Sequence, residues 1–593
     1  MIWKVAIVIA LFCTIFSAAM AQTDRQPLFG ELHMHTGWSF DAYAFGVRAT
    51  PDDAYNFGKG KPLKHALGDT YQLTRPLDFM AVTDHGEYLG VSARMGDPNH
   101  PLSKHKLAKR MRSPDVPIAY SALREMVRGD DSGKQYTELT DEDLRRDAWA
   151  GIIESANRHY EPGKFTTFIG YEWTSMPDRQ NLHRNVIFRG NDAPVPFTRM
   201  DSDRPEDLWN WLDSIRTEGY EAFAIPHNSN LSDGRMFERE TSDDTPFTKD
   251  YADARNRNEP LVEVTQVKGT SETHPMMSPN DEFADYELVE QRVASDIQIT
   301  QYKGSYVRDA LRTGLEFQDT DAFNPYRFGL VGATDSHTGI VSEKESNYSG
   351  KIGTVDGSAE GRLAHRDGQM DRRKWSASGI AGVWAEENTR ESIYDAFRRK
   401  ETWGTTGPRI KVRLFGGFDM GDVDPSMDDW VATAYAKGVP MGGALKADDG
   451  NGNAPTFAVW ALKDVESANL DRIQIIKGWS SKGESHEKVY DVAWSGNREP
   501  DPTTGKVPAV GNTVNLDTLE YTNTIGSVQL AGTWTDPDFD ANQNAFYYAR
   551  VLEIPTLRWS MYDAKKLGIE HPADLHKTIQ DRAYTSPIWY DHH

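Results

Sequence analysis

Between residues 29 and about 410 the chain alternates amphipathic stretches with short apolar runs. DLRRDAWAGIIESANRHY precedes KFTTFIGYEW, PEDLWNWLDSIRTEGY precedes EAFAIPHN, and SYVRDALRTGLE precedes RFGLVGATDSH after a loop. In each pair the first member spaces its apolar residues along one helix face, and the second is a short β-type run. Such repetition predicts a parallel α/β architecture. GIAGVWAEENTRESIYDAFRRKETWGTTGPRIKV closes the region as a strand, a helix opened by Asn388 and Glu391, and another strand. Two polar stretches, about 92–145 and 229–300, break the pattern and are predicted as long loops over the strand ends, with His100, His105 and His274 at the surface. Beyond about residue 410, VRLFGGF, VATAYA, TFAVWAL, RIQIIKGW, VYDVAW, SVQLAGTW and AFYYARVLEI predict a β-rich, sandwich-like region over 411–593.

Many of the apolar runs end on a metal-type ligand. The fragments GELHMHT, SFDAY, VTDHGE, GYEWTS, NLHRNV, AIPHNS and GATDSHT carry His33, His35, Asp41, His85, Glu172, His183, His227, Asp335 and His337. Asp84 is expected to orient His85, and Glu263 of VEVTQV to be a ligand, an orienter or a plain strand-end residue. His33 and His35 stand two apart on a strand, so their imidazoles point to one side. An HxH pair is common on ordinary strands; the company of a DHG, a strand-end Glu172, two further histidines and a DSH gives it meaning. Carboxyl ends of strands are where an α/β barrel assembles its site.

Composition narrows the chemistry. At 593 residues the chain is too long for one core, so two domains are expected. Lys4, the run VAIVIALFCTIF and Ala19-Met20-Ala21 make residues 1–21 read as a secretory signal, which implies a periplasmic or secreted protein with no membrane anchor after cleavage. The single cysteine, Cys13, lies inside that signal, so any metal must be held by nitrogen and oxygen. A net charge of -23 disfavours a nucleic-acid partner. The sequence contains no nucleophile elbow, P-loop, dinucleotide glycine signature or CxxC to offer a competing chemistry.

The ligand order HxH, DH, E, H, H, DxH resembles the polymerase and histidinol phosphatase (PHP) superfamily over roughly residues 29–410. With VWAEENTRESIYDAFRRKETW, PMGG, VWALKD, DRIQIIKGW, FYYARVLEIP and SPIWY, nearly the whole mature chain is similar to a group of secreted bacterial PHP-like proteins catalogued as a domain of unknown function. The resemblance implies a distorted (β/α)7 TIM-type barrel over 22–410, with 411–593 packed on it. It implies a first metal on His33, His35, Glu172 and Asp335, a second on His183 and His227 bridged by Glu172, and a third on His85, His337 and Asp41. Many members have a histidine where Asp41 stands, and the oxygen ligand favours manganese or iron over zinc there. Divalent ions about 3.5–4 Å apart acidify a shared water and clamp both oxygens of an in-line displacement. The expected activity is hydrolysis of a small or medium phosphate ester, with Glu172, Asp335 and Asp84 catalytic and Arg184, Asn228 and Lys268 on the phosphoryl oxygens. Hydrolysis of a carboxylic, amide or sulfate ester, or metal binding without catalysis, are the alternatives.

Overall fold

In the computed structural model residues 25–592 are described, Asp131 excepted, and the secretory signal expected over 1–21 lies outside them. The strands of the first part are β1 (Gln26–Glu31), β2 (Phe79–Val82), β3 (Thr166–Trp173), β4 (Arg184–Phe188), β5 (Ala222–Pro226), β6 (Leu261–Gln266), β7 (Gly329–Gly332), β8 (Ile380–Ala385) and β9 (Thr402–Thr405). Its longer helices are α1 (Pro51–Gly58), α2 (Val116–Arg128), α3 (Glu142–His159), α4 (Pro205–Thr217), α5 (Lys249–Asn258), α6 (Val307–Asp321) and α7 (Arg390–Arg399). Asp141 caps α3 by accepting from the backbone N–H groups of Asp143 and Leu144, and Trp149, Ile152 and Ala156 bury one face. In α4, Pro205 takes the first turn and Leu208, Leu212 and Ile215 recur at helical spacing on the buried side. All eight residues of β3 are buried, as a run covered on both faces requires.

The architecture is mixed α/β rather than parallel throughout. β1–β2 and β2–β3 pair in parallel, but β3–β4, β4–β5, β1–β8 and β8–β9 are antiparallel. β4 follows β3 through a helix-free loop apart from one 3-10 turn, so the chain turns back beside it; a parallel return would need a longer crossover. β6 and β7 pair in parallel in a separate three-stranded sheet. The ladders of this part thus draw one large sheet and a smaller three-stranded one.

Other expectations change: the stretch 229–300 is not loop throughout but carries α5 and β6. The stretch 92–145 is helical: Leu107, Met111, Ala119, Ala122, Leu123 and Met126 form their own apolar cluster around α2. The spacing in SALREMV was the signal for it. The cap of α7 is Thr389, whose side chain accepts from Ser392 N, while Asn388 donates to the carbonyl of Asp78.

The C-terminal region is β-rich. It comprises β10 (Lys411–Gly417), β11 (Thr456–Leu462), β12 (Leu470–Ser481), β13 (Glu484–Trp494), β14 (Gln529–Thr535), β15 (Ala545–Glu553), β16 (Arg582–Thr585) and β17 (Ile588–Asp591). VATAYA is not a strand but lies in helix α8 (Trp430–Lys437), with Trp430 and Ala434 buried four apart; a run that short cannot separate the two periods. β16 pairs with β9, so the large sheet continues from the first part through β9 and β16 into β15, β17, β12 and β13.

A buried ionic cluster fastens the loop after β6 to the C-terminal strands. Arg308 of α6 lies 2.5 Å from Glu272 and 2.9 Å from Asp281, and Arg550 of β15 lies 2.7 Å from Asp281 and 3.2 Å from Glu272. Tyr548 donates to Glu272 at 2.7 Å, and Arg550 also donates to Gln474 at 2.7 Å. Burial opposes ionisation of both carboxyls, yet the two guanidinium groups outweigh it and hold them below their ordinary range. Asp281→Asn, which leaves Arg550 short of its partner, is expected to cost about 3–5 kcal/mol in urea unfolding. Since both carboxyls titrate lower in the folded than in the unfolded state, their contribution is full above the ordinary carboxylate range and is lost as pH falls below it. A wild-type stability that is flat from neutral pH to strongly acidic pH would contradict this account.

Candidate metal centre

The ends of β1, β2, β3, β5 and β7, together with the residue before β4, meet at one edge and are tied by main-chain hydrogen bonds. Asp335 N donates to His33 O at 2.9 Å, His35 N to Ser336 O at 2.8 Å, Thr83 N to Met34 O at 2.8 Å, Glu172 N to Asp84 O at 3.1 Å and His227 N to His183 O at 3.3 Å. The approach of β7 depends on glycine: a Cβ on Gly332 would lie 2.8 Å from the carbonyl oxygens of Ile380 and Thr405. Between β5 and β6 the link is a side chain. Gln266 Nε2 donates to Asn228 Oδ1 at 2.9 Å and to Asp335 Oδ2 at 2.7 Å. Asn228 (φ 48°) and Asp335 (φ 54°) both hold left-handed backbone, a conformation Asn and Asp tolerate better than most residues and one that concentrates at functional sites.

All nine ligand candidates converge there. His33 Nε2 lies 3.4 Å from Asp335 Oδ1 and 3.6 Å from Glu172 Oε2, and His35 Nε2 lies 3.0 Å from Glu172 Oε2 and 3.5 Å from Asp335 Oδ1. Glu172 Oε1 lies 2.6 Å from His183 Nδ1 and 3.1 Å from His227 Nε2. Asp41 Oδ2 lies 3.0 Å from His337 Nε2 and 3.5 Å from His85 Nε2. Three sets have donor atoms within 4.8 Å of one another: His33, His35 and Asp335; His33, Glu172 and His227; His35, His85 and His337.

Three features fit divalent metal ions. The donors are imidazole nitrogens and carboxylate oxygens, borderline to hard. His33 Nε2, His35 Nε2, His183 Nε2, His227 Nδ1 and Glu172 Oε2 are buried with no hydrogen-bond partner among the described residues, a costly arrangement unless something else satisfies them. The protonation states also suit ligation. Burial lowers His33 well below its ordinary range, His183 to about 4 and His337 to about 3, which keeps these imidazoles neutral. Burial opposes ionisation of Glu172 and Asp335, but His85 and His183 hold the first, and Lys268 and Lys351 the second, well below the ordinary carboxylate range. His35 and His85 behave differently: despite burial, Asp335 and Glu172 raise the first, and Glu172 and Asp41 raise the second to about 9.

Around these groups lies a set of orienting residues, several of which the sequence did not single out. His33 Nδ1 lies 2.9 Å from Glu263 Oε2, so Glu263 is an orienter. Ser39 Oγ lies 2.8 Å from His35 Nδ1 and accepts from His85 N, and Thr174 Oγ1 lies 2.6 Å from His85 Nδ1. Lys351 Nζ bonds Asp335 O at 2.6 Å, Asp335 Oδ1 at 2.7 Å and His337 Nδ1 at 2.7 Å. Glu31 accepts from His33 N and Thr334 N. Lys351 sits in a polar loop far along the chain, and no local pattern marked it.

The other expected site residues divide. Lys268 Nζ lies 2.5 Å from Asp335 Oδ2, beside the cluster, and Asn228 Nδ2 is buried without a hydrogen-bond partner among the described residues. Asp84 does not hold the His85 ring; it accepts from Thr36 N at 2.6 Å and Thr36 Oγ1 at 2.7 Å and so shapes the turn after the HxH pair. Arg184 turns away, with Nε 2.9 Å from Glu259 and its guanidinium over Trp173, because neighbours in a strand face opposite ways and His183 has taken the inner side. His274 is buried rather than at the surface, 3.0 Å from Glu290 and stacked on Tyr302.

A ligand that binds only the folded chain raises its stability, by about 2.7 kcal/mol at a free concentration 100 times Kd. Zinc or manganese added to chelator-treated protein is therefore expected to raise the urea midpoint, and to raise it less in a His33→Ala, His35→Ala variant. An equal shift in both proteins would mean that the metal binds elsewhere.

No curated protein matches the chain. Among solved structures it is similar to a two-domain protein from Bacteroides vulgatus ATCC 8482 containing a predicted PHP-like metal-dependent phosphoesterase, at 11% identity over 79% of this chain and 86% of that one, with a TM-score of 0.28. A likeness of that size does not establish a shared fold. The family model DUF3604, described as a protein of unknown function, matches residues 22–592. That match spans the whole described structure, so the chain belongs to the DUF3604 family.

Proposed function

We propose that this protein is an exported metal-dependent phosphoesterase of the PHP type, acting on a small or medium phosphate ester. The observation that carries the reading is the convergence of six imidazoles and three carboxylates at one edge, most of them in overlapping ligand groups, with buried donor atoms that no described residue satisfies. His33, His35, Glu172 and Asp335 would hold one divalent ion, Glu172, His183 and His227 a second, and Asp41, His85 and His337 a third. Ions bound there would supply Lewis acidity and an acidified water, the chemistry best matched to phosphate ester hydrolysis. For residues 22–410 the proposed fold is the distorted (β/α)7 barrel, its seam between β5 and β6 where Gln266 reaches Asn228.

The chain's own residues have definite tasks in this reading. Lys268 presents an ammonium group beside Asp335, and Asn228 Nδ2 a free donor; both suit phosphoryl oxygens on which charge accumulates. Lys351 and Gln266 grip Asp335, while Glu263, Ser39 and Thr174 fix three imidazoles, so the ligand geometry is set before substrate arrives. Arg184 has no part in binding substrate.

A panel of chromogenic phosphomonoester, phosphodiester and acetate ester tests the proposal. Turnover is expected on a phosphate ester, and Glu172→Gln should reduce kcat by more than the ~10–100-fold that loss of an outer partner of a ligand costs, with unchanged circular dichroism. Lys268→Met should act mainly through kcat, lowering it about tenfold, the loss of roughly 1.4 kcal/mol of stabilisation of the developing charge. Cleavage of the acetate ester alone would move the assignment to carbonyl chemistry. A metal-loaded protein that cleaves none of the three would make it a binding protein.

A further inference from the structure

A cavity separate from the candidate metal centre lies where the loop at Glu343–Ser346 meets the C-terminal region. It is partly open to solvent and about 90 Å³ in volume, several times the ~10–15 Å³ that one water needs. Its walls carry the carboxylates Glu343, Glu345, Asp464, Glu466 and Asp581 against one ammonium, Lys344. Some of that charge is already met. Lys344 lies 2.9 Å from Glu466, Arg75 lies 2.6 Å from Asp464, and Arg409 lies 2.6 Å from Glu343.

Glu345 and Asp581 have no such partner: neither forms a salt bridge with any described residue. Asp581 is 5% exposed; its Oδ1 accepts from Thr406 at 2.7 Å and Tyr286 at 3.4 Å, while Oδ2 takes no hydrogen bond from a described residue although Asp581 lines the cavity. Glu345 accepts through Oε2 alone, from Trp559 N at 2.6 Å. Glu553, whose N–H donates to Asp581 O at 2.8 Å, is fully buried; its Oε2 accepts from Ser467, a wall residue, and Oε1 is unsatisfied. Of the neighbouring arginines, Arg558 pairs with Glu287 at 2.8 Å, with its Nη1 unbonded among the described residues, and Arg582 donates to the carbonyls of Gln580 and Phe283; neither forms a salt bridge with Glu345 or Asp581. Burial first, and Glu287 next, push Asp581 up to about 6, so its charge is held at a cost. The remaining wall combines Tyr521, Tyr562, Leu557 and Pro408 with the hydroxyl residues Ser346, Ser467 and Thr556.

We propose that this cavity binds a small organic cation, an alkylammonium or guanidinium compound, with its charge on Asp581 and Glu345 and its methylenes along Tyr521, Tyr562 and Leu557. Aromatic faces attract such cations as well as their methylenes. The cavity is larger than a bare ion needs, since its volume would hold several waters. The site stands apart from the proposed hydrolytic chemistry, and its test does not use activity.

The experiment is calorimetric titration of the full-length protein with 1,4-diaminobutane and with agmatine, at fixed ionic strength, with calcium chloride as comparator. Saturable binding of at least one amine at one site per chain is expected, weakened about tenfold or more (~1.4 kcal/mol) in Asp581→Asn and in Glu345→Gln. Glu345→Gln keeps an oxygen for Trp559 N, so it remains informative if Asp581→Asn does not fold. No saturable binding of either amine at millimolar concentration overturns the proposal. So does binding that survives in every folded variant, and so does saturation by calcium with both amines silent, which would make the cavity an inorganic-cation site.

Discussion

The centre of this protein depends on keeping the Glu172 carboxylate ionised at 1% exposure. A lone charge there would be prohibitively costly, and the chain answers by bringing His33, His35, His85, His183 and His227 within 3.6 Å of its two oxygens. Those imidazoles come from β1, β2, β4 and β5 or their immediate extensions. Strand order and register follow from that need: a one-residue slip in any of these strands would turn its ligand to the opposite face. Asp335 repeats the logic from β7, with Lys268 and Lys351 as additional compensation. The five unsatisfied ligand atoms show that compensation is incomplete within the protein alone, which is the physical case for metal.

The second part of the chain bears on the same centre through the loop that follows β6. Thr270, Glu272 and Asp281 belong to the segment that continues from Gln266 and Lys268, and Glu272 and Asp281 are locked to Arg308 and Arg550. A C-terminal strand thereby helps to fix a segment whose other end carries Lys268. The β9–β16 ladder adds a main-chain tie between the two parts.

Much of the candidate centre was legible because each ligand adjoins a short apolar run, and such a run predicts both a buried strand and the place where it ends. The nine ligand positions and the helices α3, α4 and α6 could be read from that pattern. Strand direction could not, since periodicity is the same for parallel and antiparallel partners; β4 shows this. Nor could the orienting set: Lys351 and Thr174 lie in polar loops and act through tertiary contacts, and Ser39 reaches His35 across a local turn that no pattern marked. Arg184 misled because adjacency in sequence means opposite faces in a strand. Asp84 was expected to orient His85, but its partner is Thr36 rather than the neighbouring imidazole.

Elemental analysis of the full-length protein, purified without chelators and compared with Glu172→Gln, tests the central claim most directly. The account predicts roughly two to three equivalents of zinc, manganese or iron per wild-type chain, the content of a di- or trinuclear centre. It predicts fewer in Glu172→Gln, where the shared carboxylate is gone, with the fold intact by circular dichroism. Folded wild-type protein that retains well under one equivalent after incubation with each of the three metals would contradict it.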